Sequence, residues 1–289
     1  AVEQLFRIEP GNYGYHAGLT ALLTNRFDDA LERLLAQDIN TPCYRRWWQW
    51  WGVTGTAYHM LGRYDEGLGV IQSGLERFPN ERRLIYREAI AFAGLGRLDA
   101  VDSLIDVIDG LPAQPRYSPG QRIAFIALEL KVLGHREAYG AVMDRALDWF
   151  AARPMSQQRA WRGQAFYYAE RWSDADTLFA NLIEETPDNL DYRGYRAVAL
   201  AHLGRREEAL EADRWLQSNE RPYSRGSQTR WRAAVAAALG DHAGAVQLLE
   251  QAIQEGMQLG YNHHRDPEWE ALRDYGPYQM LMRPERVAR

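Results

Sequence analysis

The residue types that could carry chemistry are concentrated near the carboxyl end of the sequence. His264-Arg265-Asp266 has the residue order of a phosphotransfer catalytic loop, but that loop requires Asn five residues after its Asp, where Ala271 stands. Nitrogen and oxygen ligands for a metal ion are offered by Asn262, His263, His264, Asp266 and Glu268. Because adjacent histidines rarely point at one ion, we expect a polar connection here and keep a metal site as the alternative.

Other catalytic signatures are absent from the sequence. The single lysine, Lys131, follows Leu130, so no Gly-Lys phosphate loop exists, and neither Gly-x-Ser-x-Gly nor His-Glu-x-x-His occurs. Cys43 is the only cysteine, which excludes an intramolecular disulfide and a thiolate zinc cage. The sequence therefore predicts that the protein is not an enzyme and that it binds no cofactor or metal ion.

Charge and hydropathy restrict the partners. The 34 basic and 39 acidic residues give a net charge of −5, which provides no positive field for nucleic acid. No apolar run reaches the roughly 18 residues that span a bilayer. We expect neither nucleic-acid binding nor membrane insertion, and a cytoplasmic location. The chain begins at Ala1 without Met, which favours a fragment of a longer protein.

A periodic pattern of turns must position every candidate residue. Leu-Gly recurs at a spacing of roughly 34 to 38 residues, at Leu61-Gly62, Leu95-Gly96, Leu133-Gly134, Leu203-Gly204 and Leu239-Gly240. Asn25 and Glu170 fill the two gaps in this series. The sequence therefore contains seven similar units, each with a turn at its centre.

Small residues flank these turns, and prolines separate the units. Seven residues before each turn stand Gly18, Gly55, Ala89, Ala127, Gly163, Ala197 and Ala233. Five residues after each turn stand Ala30, Gly67, Val101, Tyr139, Ala175, Ala209 and Ala245, of which five are small. Prolines end most units, at Pro42, Pro79, Pro154, Pro187 and Pro222, with Pro112 and Pro115 in the third. The pattern indicates two helices that approach closely at small side chains before a proline ends the unit.

This combination of small residue, turn, small residue and proline resembles the tetratricopeptide repeat. The resemblance implies an all-α, right-handed superhelical solenoid of about seven helical hairpins. We expect residues 1–10 to end a truncated preceding repeat, residues 11–257 to form one continuous array, and residues 258–289 to form a helical cap. Trp269, Leu272 and Leu281 are expected to cover the last hairpin. This tail also resembles the ends of such arrays in bacterial multidomain regulators.

In the family, the first helix of each hairpin lines a concave surface, and the resemblance assigns this surface specific residues. The corresponding positions are Tyr15, Gln49, Thr56, His59, Arg83, Tyr86, Gln121, Lys131, Gln157, Gln164, Tyr167, Asp191, His202 and Arg230. Amides, aromatic rings and scattered charges suit an extended peptide that is held partly through its backbone. A purely solvated lining is the plainer interpretation.

The favoured function is a protein-interaction scaffold that binds a peptide or extended protein segment in the concave groove. The alternative is a regulatory segment of a larger bacterial signalling protein that binds a small effector. Two other surfaces stay open as docking sites or ordinary structure: the acidic stripe Asp99, Asp102, Asp106 and Asp109, and the cluster Trp47, Trp48, Trp50 and Trp51.

Overall fold

The chain folds into consecutive antiparallel helical hairpins. The computed structural model describes residues 10–41, 44–114, 117–153, 158–219, 224–260 and 263–284. Within these ranges the only β-type pairing is an isolated bridge between Gln114 and Tyr117. The fold is therefore all-α, as the repeat pattern predicts. Residues 1–9, Pro42, Cys43, Pro115, Pro154, Gln157, Pro222 and Asn262 lie outside the described residues.

Seven hairpins are present in the described part of the chain, each built from two helices. The first four comprise α1 (Pro10–Leu23) with α2 (Phe27–Leu35), α3 (Gln49–Met60) with α4 (Tyr64–Arg77), α5 (Arg82–Gly94) with α6 (Leu98–Asp109), and α7 (Pro119–Val132) with α8 (Arg136–Ala152). The last three comprise α9 (Arg159–Tyr168) with α10 (Trp172–Glu185), α11 (Leu190–His202) with α12 (Arg206–Ser218), and α13 (Ser227–Ala238) with α14 (His242–Gln254).

Each hairpin turns at a residue in the left-handed backbone region. The seven turn positions, Asn25, Gly62, Gly96, Gly134, Glu170, Gly204 and Gly240, all have φ between 57° and 88°. Glycine adopts this conformation without steric cost, and Asn tolerates it better than most residues. The turn spacing in the sequence therefore marks the real helix boundaries.

The small residues before the turns lie where paired helices touch. All seven are buried. A Cβ atom added to Gly55 would lie 2.5 Å from Ile71 Cδ1, and one added to Gly163 would lie 2.9 Å from Phe179 Cζ. The close approach of the two helices, predicted from residue size, is confirmed at these positions.

A C-terminal segment, called the tail (257–260 and 263–284), follows the last hairpin. It contains short 3₁₀ helices at His263–Arg265 and Pro267–Leu272 and a final helix α15 (Gly276–Leu281). Trp269 and Leu272 are fully buried and join the main hydrophobic core. The sequence pattern of this segment predicts two short amphipathic turns, and its described residues form three short helices.

The array curves so strongly that the tail reaches its first hairpin. The Gly260 amide donates to the Leu23 carbonyl over 3.3 Å, and Asn25 Nδ2 donates to the Met282 carbonyl over 2.8 Å. Gly260 is only the sixth residue after the end of α14, a length of chain that reaches at most about 20 Å. The two ends of the solenoid therefore lie near each other, and the tail lies on the surface that they enclose.

Candidate functional site

The candidate site is the inner surface of the solenoid, formed by the first helix of each hairpin and filled by the tail. The tail contacts α7 through His263–Arg265 and α13 through Pro267–Leu272. The expected cap over the last hairpin is thus only part of the observed arrangement. The tail also reaches hairpins one, two and four, because the array bends around it.

A buried carboxylate, Glu129 on α7, anchors the beginning of the tail. His264 Nε2 lies 3.0 Å from Glu129 Oε1, and Arg265 Nη1 donates to Glu129 Oε2 over 3.2 Å. His59 on α3 approaches from the other side, with its Nε2 atom 2.9 Å from Glu129 Oε1. Three distant parts of the chain therefore meet at a carboxylate that is only 2% exposed.

The electrostatics of Glu129 follow from these partners. Burial alone would raise the pKa of its carboxyl group, but the hydrogen bonds and electrostatic interactions with His264 and His59 hold that pKa well below its usual value. Glu129 is therefore ionised at neutral pH, and its partners compensate the buried charge.

A second polar contact lies at the start of α13. Arg230 donates to Glu268 Oε1 over 3.1 Å and lies 3.6 Å from Asp266 Oδ2. Burial raises the pKa of Glu268 to about 7, although the charge of Arg230 acts in the opposite direction. The Glu268 Oε2 atom is buried without a hydrogen-bond partner among the described residues, which adds to the cost of its negative charge.

An indole and an imidazole fill the space beside Arg230. His263 stacks on Trp269 with ring centroids 5.0 Å apart, and the Arg230 guanidinium lies 5.8 Å from the Trp269 ring. Burial, together with the positive charges of Arg230 and His264, lowers the pKa of His263 to about 3. His263 is therefore neutral at physiological pH.

Lys131 makes the third polar contact. Its Nζ atom lies 2.6 Å from Glu170 Oε1 at the turn of hairpin five and 2.6 Å from Glu270 Oε2 in the tail. Both carboxylates are about half exposed, so this pair contributes less than the buried contacts. Beside it, Trp172 and His202 stack at the edge of an open cleft of about 320 Å³.

The predicted concave residues separate into groups in the structure. Those that contact the tail, or line a cavity or cleft together with it, are Thr56, His59, Tyr86, Lys131, His202 and Arg230. Tyr167 is fully buried between Trp172 and Tyr195. Burial raises the pKa of its hydroxyl group, and the nearby charge of Glu268 raises that pKa further.

The remaining predicted residues are engaged elsewhere on the same helices. Gln121 donates to Gln164 over 3.0 Å, and Asp191 accepts from the Trp231 indole over 2.9 Å. Tyr15 packs on Trp47, the Arg83 guanidinium lies over Trp48, and Gln49 is half-buried. Gln157 lies outside the described residues.

Sequence reasoning missed Glu129. One signal could have revealed it: Glu129 is the only charged residue in the otherwise apolar stretch Ile123–Leu130. An acidic residue within a run that must be buried requires a partner.

The fold and its inner surface define a helical-repeat solenoid. Residues 162–221 match the model of the tetratricopeptide repeat family. The matched residues lie within hairpins five and six and the connections that follow them. No helix in the described part of the chain is both long and apolar enough to cross a bilayer.

Several solved structures align with the chain at low identity. A tetratricopeptide repeat protein from Parabacteroides merdae aligns at 15% identity and a TM-score of 0.45, covering 88% of this chain and 93% of that one. The TPR2AB domain of yeast Sti1, in a complex with pHSP90, aligns at 16% and 0.31, covering 85% and 90%. The MamA protein of MSR-1 aligns at 21% and 0.29, covering 60% and 95%. No curated protein matches the chain.

Proposed function

We propose that the chain is a protein-interaction scaffold whose inner surface binds an extended protein segment, and that its own tail occupies this surface in the absence of a partner. The observation that carries the proposal is the tail itself. A short segment without long helices pairs with Glu129, Lys131 and Arg230, which lie on the first helices of two different hairpins.

The tail indicates what chemistry a partner segment would present. A basic side chain or imidazole faces Glu129, acidic side chains face Arg230 and Lys131, and an indole lies beside Arg230. A competing segment would therefore carry basic, acidic and aromatic residues in the order of His264-Arg265-Asp266 followed by Trp269 and Glu270.

Competition with the tail also explains how a buried surface could bind a partner. Tyr86 is buried and lines a cavity together with His264 and Arg265, so an outside segment reaches it only after the tail leaves. Because the tail is tethered, its effective concentration at the surface is high, on the order of millimolar for short flexible linkers. A partner must therefore bind better than the tail or arrive when the tail is weakened.

The test uses a labelled peptide of residues 258–284 added to the full chain. Trp269→Ala in the chain removes a fully buried indole from the tail and leaves the inner surface unchanged. We expect the peptide to bind this variant at least tenfold more tightly than the wild-type chain in a fluorescence anisotropy titration. Glu270→Lys, which loses the contact with Lys131, is a milder second variant.

Met280→Ala is the matched control, because Met280 lies in the same tail but is 71% exposed. This variant should bind the peptide no better than wild type. A folded Trp269→Ala chain that fails to bind the peptide would rule out the inner surface as a site for such segments.

A further inference from the structure

Two imidazoles and one carboxylate converge on one point, although they come from hairpin two, hairpin four and the tail. The ligand atoms of His59, Glu129 and His264 all lie within 4.8 Å of one another. The Glu129 Oε1 atom is 2.9 Å from His59 Nε2 and 3.0 Å from His264 Nε2. These positions are 70 and 135 residues apart from Glu129 in the chain, so the fold alone assembles the cluster.

The separations fit the ligands of a single transition-metal ion. Nitrogen and oxygen donors at about 2.0 to 2.1 Å from a zinc ion are separated by about 3.4 Å at the tetrahedral angle. The two observed nitrogen–oxygen distances are slightly shorter and the third separation is at most 4.8 Å, so shifts of less than about 1 Å would place the three donors around one ion. Two imidazoles and one carboxylate form a ligand set known for zinc and its neighbours.

The surroundings leave space for a fourth ligand. A cavity of about 20 Å³ is lined by Thr56, His59, Glu129 and His264. This volume accommodates one water molecule. Three protein ligands and one water complete a four-coordinate zinc ion.

The hydrogen bonds around the cluster are compatible with this use. Arg265 donates to Glu129 Oε2 and so orients the carboxylate, with Oε1 near both imidazoles and Oε2 also 3.1 Å from His264 Nε2. The His59 Nδ1 atom has no hydrogen-bond partner among the described residues. Without an ion, His59 Nε2 carries the proton that it donates to Glu129 Oε1, and a metal ion bound at Nε2 would displace this proton.

We infer that His59, Glu129 and His264 form a binding site for one divalent transition-metal ion, represented by Zn²⁺, that ties the tail to hairpins two and four. The inference does not depend on which partner the scaffold binds, because the ligands join parts of this chain only. Metal binding would strengthen tail docking, and chelation would weaken it.

The test is a calorimetric titration of the chelator-treated full chain with zinc chloride, with stoichiometry checked by native mass spectrometry. We expect one Zn²⁺ per chain, bound at least 100-fold more tightly than by His59→Ala or His264→Ala. Co²⁺ should give visible absorption bands of a low-coordinate site in wild type and lose them in both variants.

His135→Ala is the control, since His135 lies at the start of α8 and outside the cluster. It should bind Zn²⁺ as wild type does, and circular dichroism should show that all variants are folded. His264→Ala provides the decisive comparison, because the His264 side chain is 25% exposed. The inference would be overturned if a folded His59→Ala/His264→Ala variant bound Zn²⁺ as tightly as wild type does. It would also be overturned if His135→Ala lowered the Zn²⁺ affinity as much as the cluster variants do.

Discussion

At the scale of single residues, Glu129 is the centre of the tail contact. Its position in an apolar run could indicate burial, but its partners could not be read from the sequence, because His59 and His264 are far from it in the chain. Spacing along one helix identifies neighbours three or four residues apart and says nothing about contacts across hairpins. The family positions of His59, Lys131 and Arg230 were predictable, whereas their pairing with the tail was not.

Replacing Glu129 should be costly. Glu129→Gln removes the negative charge beside the buried guanidinium of Arg265, so we expect a loss of about 3 to 5 kcal/mol in the free energy of unfolding. Urea denaturation measures this loss. The exposed Glu137→Gln should change stability by less than about 0.5 kcal/mol. Similar effects of the two substitutions would contradict the role of Glu129.

His263 should make stability depend on pH. Its pKa of about 3 in the folded chain lies below the ordinary value of 6.5, so the unfolded chain binds more protons between these values and stability rises with pH across this window. His263→Phe preserves a ring against Trp269 and removes this proton site.

Lowering the pH from 7 to 5 should therefore reduce the free energy of unfolding of wild type by about 2 kcal/mol more than that of the variant. This figure follows from about 1.36 kcal/mol per pKa unit. Glu268, with a pKa raised to about 7, contributes the opposite slope between 4.5 and 7, so the difference between the two proteins isolates His263. Thermal melts at both pH values measure it, and a difference independent of pH would show that His263 is not held neutral.

At the scale of helices and turns, the sequence was most informative. Small residues at fixed distances from a turn predict where two helices touch, because only a short side chain allows that approach. Asn25 and Glu170 adopt the same left-handed turn as the glycines that they replace. The short helices of the tail were also predictable from its apolar residues. The position of the tail on the inner surface was not, since no local pattern encodes the curvature of the whole array.

Gly163→Leu should overpack the contact between α9 and α10. The new side chain would meet the Phe179 ring, so we expect a loss of about 1 to 3 kcal/mol in the free energy of unfolding. Gly140 lies within α8, and an added Cβ there meets no atom within 4 Å. Gly140→Leu should be neutral or slightly stabilising, because leucine favours helix more than glycine does. A Gly163→Leu chain as stable as wild type would remove this position from the close-contact sites.

At the scale of the whole molecule, the curvature of seven hairpins encloses the tail and joins both ends of the array. A straight stack of the same hairpins could not bring Gly260 to Leu23 after so short a connection. The core therefore includes Trp269 and Leu272 as well as the repeats. The tail completes the fold from inside the solenoid.

Truncation after Glu255 should destabilise the chain. It removes the fully buried Trp269 and Leu272 and leaves Glu129 with fewer partners, so we expect a loss of several kcal/mol and exposure of apolar surface. Differential scanning calorimetry and light scattering measure both effects. A truncated chain that stays monomeric with an unchanged melting temperature would indicate a tail that docks without contributing to stability.

The most direct test of the enclosed tail is a distance measurement between its end and the first hairpin. Spin labels at Thr24 and Met280, in a chain with Cys43→Ser, would report this distance by double electron–electron resonance, since both positions are exposed. The Asn25 contact with Met282 predicts one short, narrow distance distribution. Trp269→Ala should broaden it. A long or broad distribution in the otherwise unchanged chain would contradict the occupation of the inner surface by the tail.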